Sequence, residues 1–244
     1  MSTNANNSSN LDVKLPTKIP TPHRHFGPLQ EFLDHLHKSY KIAKCTQFYE
    51  TFYDTKDYTL IKRGHWLKLR TNAKEEILGW SYKKIIQNEV LGQLIYEEEP
   101  RIPQIIENLN QLFPHTKCDD PMDFDIYPFA FFQVTRVHYI NEKNISVYID
   151  SVRIKDGDFY LVGTYEKMDD QEPVVSPEDA KILDYQAVWP VRSKVLEWVY
   201  HKNKKLYAIM DQALNDPITS YISEQGINHF TEDPLLDVVT KANK

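Results

Sequence analysis

Polar and apolar positions along the chain fall into blocks with two different periods. Leu29, Phe32, Leu33, Leu36 and Tyr40 recur at helical spacing and predict an amphipathic helix over Phe26–Tyr40. Tyr40 to Asp54 is rich in Thr, Tyr, Phe and Ile in short alternating stretches, which predicts a strand. A turn of helix around Tyr58–Arg63 precedes predicted strands at Gly64–Thr71, Leu78–Ile86 and Val90–Glu98, the last two joined by Gln87-Asn88-Glu89. Ile102–Leu112 reads as a helix. Three more strands follow at Phe129–Ile140, Asn144–Arg153 and Phe159–Glu166, separated by Asn141-Glu142-Lys143 and Lys155-Asp156-Gly157-Asp158, both of which are turn chemistry. From Ser176 onward the pattern is helical, over Ala180–Trp189, Val191–Tyr200 and Lys204–Leu214. With a short strand at Asn10–Leu15, the count reaches seven or eight strands in antiparallel meanders. That pattern predicts an α+β fold built on a closed or nearly closed antiparallel sheet, with helices around it.

Composition bounds what such a sheet can serve. The chain has 244 residues, of which 41% are hydrophobic and 12% aromatic, enough for a sizeable core. Met1–Ser9 is dominated by Ser and Asn and predicts a disordered tail; residues 10–214 read as one domain and 215–244 as a C-terminal extension. No apolar run approaches the length of a membrane span, and the first thirty residues lack a basic-then-apolar leader, so neither a span nor a secretory signal is expected. A formal net charge of −6 argues against duplex nucleic acid as a partner, though not against a local basic pocket. Cys45 and Cys118, far apart, suit a reducing cytoplasm. Gly numbers only 7, and no GxGxxG or GxxxxGK[ST] string occurs, which excludes Rossmann and P-loop readings.

Charge changes the picture most on the strands. Trp66, Lys68 and Arg70 share one strand face; so do Ser81 and Lys83, Glu97 and Glu99, Arg136 and His138, Tyr148 and Asp150, Thr164 and Glu166. Each pair taken singly reads as a solvated outer face. Taken together, they can instead line the polar lumen of a wide barrel, where carboxylates hold a hard cation and Lys and Arg neutralise phosphate oxygens. Periodicity leaves both readings open. Asp54 reads as a tie between a strand end and the following turn, and Glu97–Glu99 also fits a solvated edge that blocks aggregation. His65 and His138 lack partners at zinc spacing.

The order of these residues resembles the CYTH superfamily of triphosphate tunnel metalloenzymes. Phe52-Tyr53-Asp54-Thr55 followed by Gly64-His65-Trp66-Leu67-Lys68-Leu69-Arg70 is similar to the family's aromatic-Tyr-Asp-Thr strand end and its WLRxR strand, closest to the thiamine triphosphatase branch. Trp80-Ser81-Tyr82-Lys83 resembles its WELK, and Asn10-Leu11-Asp12-Val13-Lys14 resembles a thinned ExExK. Phe132 with Arg136, Ile149-Asp150, Gly163 with Glu166, and Lys194 keep the order of the second half.

The resemblance implies an eight-stranded antiparallel tunnel that hydrolyses a phosphoanhydride of a small-molecule triphosphate, thiamine triphosphate or inorganic tripolyphosphate. It implies Mg²⁺, or Mn²⁺, as cofactor. Lys68, Arg70, Lys83, Arg136 and Lys194 would contact the phosphates, with Lys83 and Lys14 catalytic. Asp12, Asp150, Glu166 and one of Glu97 or Glu99, taken as Glu99, would hold the metal, and Trp66 is a candidate ring platform, although an aromatic beside a barrel strand is more often core. A monomer is expected. Asn10, Ser81 and Thr164 stand where the family has acids, so the cationic set is complete while the acidic set is thinned. This leaves a second reading, a catalytically weakened module that binds polyphosphate or nucleotide. A third is a scaffold with a vestigial tunnel.

Overall fold

The computed structural model describes residues 24–26, 30–88, 93–142, 145–153, 159–167, 194–214, 229–230 and 232–242. Its strands are β1 (Arg24–Phe26), β2 (Lys41–Asp54), β3 (His65–Thr71), β4 (Ile77–Asn88), β5 (Gln93–Glu99), β6 (Tyr127–Ile140), β7 (Ile145–Arg153), β8 (Phe159–Lys167) and β9 (His229–Phe230). Its helices are α1 (Gln30–Ser39), α2 (Thr59–Lys62), α3 (Ile102–Leu112), α4 (Lys194–Lys202), α5 (Lys204–Leu214) and α6 (Leu236–Ala242). All the ladders are antiparallel, in the order β1-β8-β7-β6-β2-β3-β4-β5, with β9 beside β8. The fold is therefore α+β, a curled antiparallel sheet with helices on it. Among the described residues, no ladder joins β5 back to β1.

Two predicted elements, the Asn10–Leu15 strand and the Ala180–Trp189 helix, lie outside the described residues, as do Asp12 and Lys14. The first helix begins at Gln30 rather than Phe26, because Arg24–Phe26 pairs with β8 instead. Part of the C-terminal extension joins the core: Leu235, Val238 and Val239 pack with α1 and β6–β8.

The sheet buries both faces. On the outer side, Phe32, Leu33 and Leu36 of α1 cover Val137, Tyr139, Val147 and Ile149, while Ile105 and Leu109 of α3 cover Leu67, Trp80 and Tyr82. On the inner side, Val195 and Val199 of α4 and Leu206 of α5 close over Phe48, Phe52, Trp66, Phe132, Val134, Val152 and Tyr160. Helix α4 thus plugs one half of the inner face. Along β2 the inward positions run from exposed Lys44 and half-buried Thr46 to buried Phe48, Glu50, Phe52 and Asp54, so that face opens away from the helical plug.

Asp54 ends β2 and starts α2, as its sequence context suggests. Its carboxylate accepts the backbone N–H groups of Thr55 (2.7 Å), Leu60 (2.8 Å) and Ile61 (2.8 Å), while Thr55 Oγ1 takes that of Thr59 (2.9 Å). Those of Thr59, Leu60 and Ile61 are the amides a short helix leaves unpaired at its start. Gly64, at φ 74°, donates to the carbonyl of Ile61 and reverses the chain into β3. Since Asp54 is buried, Asp54→Ala leaves three amides without their acceptor. The variant is expected to lose about 2–3 kcal/mol of stability, read as a lower urea midpoint at unchanged m-value.

Candidate functional site

Cross-strand register brings the inward charges into one place. Glu50 on β2 faces Arg70 on β3, Phe52 faces Lys68, and Lys68 faces Ser81 on β4. Lys83 faces Glu98 on β5. On the other side of β2, Thr46 faces Arg136 on β6, which faces Asp150 on β7. Period-two alternation does the rest, so Glu50, Lys68, Arg70, Ser81, Lys83, Glu98, Arg136 and Asp150 share the inner face.

Glu50 is the centre of the cluster. Its side chain is wholly enclosed, at 0% exposure, and takes contacts from three cations. Arg70 Nε donates to Oε1 at 2.8 Å, Lys68 Nζ lies 3.4 Å from the same oxygen, and Lys194 Nζ lies 2.9 Å from Oε2. Lys194, the first residue of α4, also donates to Asp150 Oδ2 at 2.9 Å. Arg136 grips Asp150 with two bonds, Nε to Oδ1 at 2.5 Å and Nη2 to Oδ2 at 2.7 Å. Glu98 lies 3.2 Å from Lys68 and accepts the Ser81 hydroxyl. Beneath them the Phe48 ring lies 5.2 Å from the Arg70 guanidinium, 5.3 Å from that of Arg136 and 5.9 Å from the Lys194 ammonium. Cation–π attraction at a buried ring helps to hold these three together.

Five cationic side chains, Lys68, Arg70, Lys83, Arg136 and Lys194, thus surround three carboxylates, Glu50, Glu98 and Asp150. Burial pushes each carboxyl upward, but the neighbouring cations outweigh it. Lys194, Lys68 and Arg70 hold Glu50 well below the ordinary carboxylate range. Lys68, Lys83 and Arg70 do the same for Glu98, and Arg136 and Lys194 for Asp150. All three are ionised at neutral pH. Lys83 differs: burial, with Lys68 and Lys194 beside it, lowers its pKa to about 8 against the pull of Glu98. Arg70 and Arg136 are the groups that reach out of the cluster, their side chains 29% and 25% exposed. The arrangement offers a positive surface with forked donors, suited to an oligophosphate.

Lys68, Arg70, Lys83, Arg136 and Asp150, which alternate on their strands, and Lys194, which the resemblance alone pointed to, are brought together here. Glu99 is a correction. It pairs with Tyr82 and points to the outer face, where Arg101 holds it through Nε (2.7 Å) and Nη2 (2.5 Å); Glu97 is likewise outward, 2.7 Å from Lys84. The inward member of the acidic run is Glu98, because Lys83 rather than Lys84 sits opposite it. For Trp66 the core reading holds and that of a ring platform does not. It is 3% exposed and packed in the core with the residues under α4, so it offers no ring surface to a ligand. Glu166 occupies the inward register, opposite Ser146. Glu50 went unforeseen, although an acid in the apolar alternation Phe48, Glu50, Phe52 was the available signal.

A divalent metal fits the described residues poorly. Mg²⁺ takes carboxylate oxygens, yet both oxygens of Glu50 and of Asp150, and Oε1 of Glu98, are already approached by ammonium or guanidinium groups. Among the described residues no three His, Cys, Asp or Glu side chains are grouped to hold a metal ion. Ser81 places a neutral hydroxyl where a carboxylate would have added to the set.

No protein-family model matches the chain, and no curated protein does. Solved structures do show similarity. A candidate adenylate cyclase from Bacillus halodurans is 14% identical over 74% of this chain and 97% of its own, with a TM-score of 0.48. A candidate adenylyl cyclase from Hippeastrum, reported to have a dominant triphosphatase activity, is 15% identical over 76% of this chain and 98% of its own, with a TM-score of 0.47. The PH1819 protein of Pyrococcus horikoshii is 12% identical over 90% of this chain and 98% of its own, with a TM-score of 0.40. At such identities the chemistry has to be read from this chain's own side chains. No described helix is long and apolar enough to cross a membrane, and Cys45 and Cys118 are free thiols.

Proposed function

We propose that the inner face binds the triphosphate group of a small molecule and that the protein hydrolyses its terminal phosphoanhydride, the activity implied by the CYTH resemblance. The observation that carries this reading is the convergence of Lys68, Arg70, Lys83, Arg136 and Lys194, from three strands and one helix, around one buried ring and three acids. Phosphoryl transfer asks the protein mainly to position the chain and to neutralise charge on non-bridging oxygens. Arg70 and Arg136, half-buried and forked, engage the outer phosphates. Lys68 and Lys194, deeper and fixed by Glu50, supply a positive floor. In the step itself a water oxygen attacks the terminal phosphorus and the bridging P–O bond breaks. The diphosphate product leaves, and the Lys83 amine takes the water's proton. An amine with a pKa near 8 is suited to that, since a usable fraction is neutral at working pH.

Two substrates are in view. A thiamine ring needs a stacking partner, and Trp66 is buried in the core, which favours inorganic tripolyphosphate over thiamine triphosphate. The test is phosphate release from both compounds with Mg²⁺, with Mn²⁺ and with EDTA. Turnover of either that falls at least about tenfold in Arg136→Ala supports the reading; no release above background from either removes the hydrolase. A second reading, binding without turnover, is favoured by the carboxylates all being engaged by cations, so that none is left to polarise water.

A further inference from the structure

We infer that the inner face takes its oligophosphate as the metal-free polyanion, and that Mg²⁺ competes with the protein for the ligand instead of bridging the two. This rests on the triphosphate reading above. Three observations carry it, and the first is the engagement of the donors. A metal ion would have to displace Lys194, Lys68 and Arg70 from Glu50 or Arg136 and Lys194 from Asp150, and on Glu98 it would share the carboxylate with Lys68 and the Ser81 hydroxyl, both at Oε1. The Phe48 ring underlies Arg70, Arg136 and Lys194 and favours their staying beside these acids.

The second observation is the sign of the cluster. Among the described side chains of the cluster, five cations around three acids leave an excess of positive charge, into which a dication enters against repulsion and a polyanion enters with attraction. The attraction scales with the ligand's charge, and a Mg²⁺ ion carried on the phosphates cancels part of it. Bare tripolyphosphate is therefore the better ligand for this surface.

The third is the side chain at position 81. Ser81 sits on the inner face of β4 between Lys68 and Glu98, and its hydroxyl donates to Glu98. A carboxylate there would have paired with Glu98 to give adjacent anionic donors, the arrangement a hard cation needs. The hydroxyl instead fixes the Glu98 carboxylate toward Lys68. Glu98 on this account is a removable counter-ion that shares its lysines with the incoming phosphates.

The experiment is calorimetric titration of the full-length protein with sodium tripolyphosphate at constant ionic strength, in EDTA and in excess Mg²⁺, beside Glu98→Gln. The expected result is several-fold tighter binding in EDTA than in excess Mg²⁺, and several-fold tighter binding again by Glu98→Gln in EDTA, since Lys68 and Lys83 lose a competitor. Thermal melting and circular dichroism establish that the variant is folded, and Ser81→Ala, which also loosens Glu98, gives a milder version of the same shift. Binding seen only with Mg²⁺, or markedly tighter with it, overturns the inference while leaving the triphosphate reading standing. So does a Glu98→Gln variant that loses affinity in Mg²⁺ alone, the mark of a metal ligand. Absence of heat in both buffers overturns the triphosphate reading itself.

Discussion

Replacing Glu50 by Gln is expected to lower the stability of the protein by about 3–5 kcal/mol, one of the largest losses any single side chain on the inner face can cause. The size of the effect follows from what remains behind. Lys68, Arg70 and Lys194 all approach the Glu50 carboxylate, two of them with side chains no more than 12% exposed. Gln keeps the shape and an acceptor but removes the charge, so like charges face one another in a space that water reaches poorly. Urea unfolding monitored by tryptophan fluorescence measures the loss.

Two companion effects separate this cause from simple mispacking. Tripolyphosphate, which brings negative charge to the outward side of the same cations, is expected to raise the melting temperature of Glu50→Gln more than that of the wild type. Acid gives the other signature. The folded-state pKa of Glu50 is depressed, so its contribution is complete above the ordinary carboxylate range and is lost as the pH falls below about 4 toward the folded value. Glu50→Gln is then expected to lose less further stability on acidification than the wild type. A variant as stable as the wild type at neutral pH would show that the lysines rely on water instead of Glu50.

Lys83→Ala is expected to reduce phosphate release by about 10²–10⁴-fold, the range general-base catalysis supplies. The pH profile distinguishes this role from mere charge neutralisation. A base must be neutral to accept a proton, so kcat should rise about tenfold per pH unit below pH 8 and level off above it. Lys83→Arg, which keeps the positive charge but cannot deprotonate in this range, should preserve tripolyphosphate affinity while losing turnover and that limb of the profile. If Lys83→Arg retains full activity, Lys83 acts as a fixed cation and the proton goes elsewhere.

The sheet was largely legible from alternation, which also put the charges of each strand on one face, but whether that face was inner or outer rested on the resemblance, not on the period. The shared faces of Lys68 and Arg70, Lys83, Arg136 and Asp150 followed from alternation. What the pattern could not give was absolute phase on β5. Glu97, Glu98 and Glu99 are identical in type, so only the register with Lys83 selects Glu98. Glu50 was hidden for a different reason. In local sequence it is one acid in an aromatic strand, and its weight comes from Lys68, Arg70 and Lys194, which are distant in the chain. Trp66 shows the converse: its strand placed it on the inner face, but only the packing of Val195 and Val199 against the same cluster puts it in the core. Likewise Arg24–Phe26 carries no strand pattern of its own and is ordered by the free edge of β8.

The central claim is that Lys68, Arg70, Lys83, Arg136 and Lys194 form one phosphate-binding surface, and a crystal structure of the protein soaked with tripolyphosphate tests it most directly. The account predicts density for the phosphate chain on the inner face, within hydrogen-bonding distance of both Arg70 and Arg136. Density only on the outer helices, or an inner face left bare at ligand concentrations that saturate the protein in solution, contradicts it.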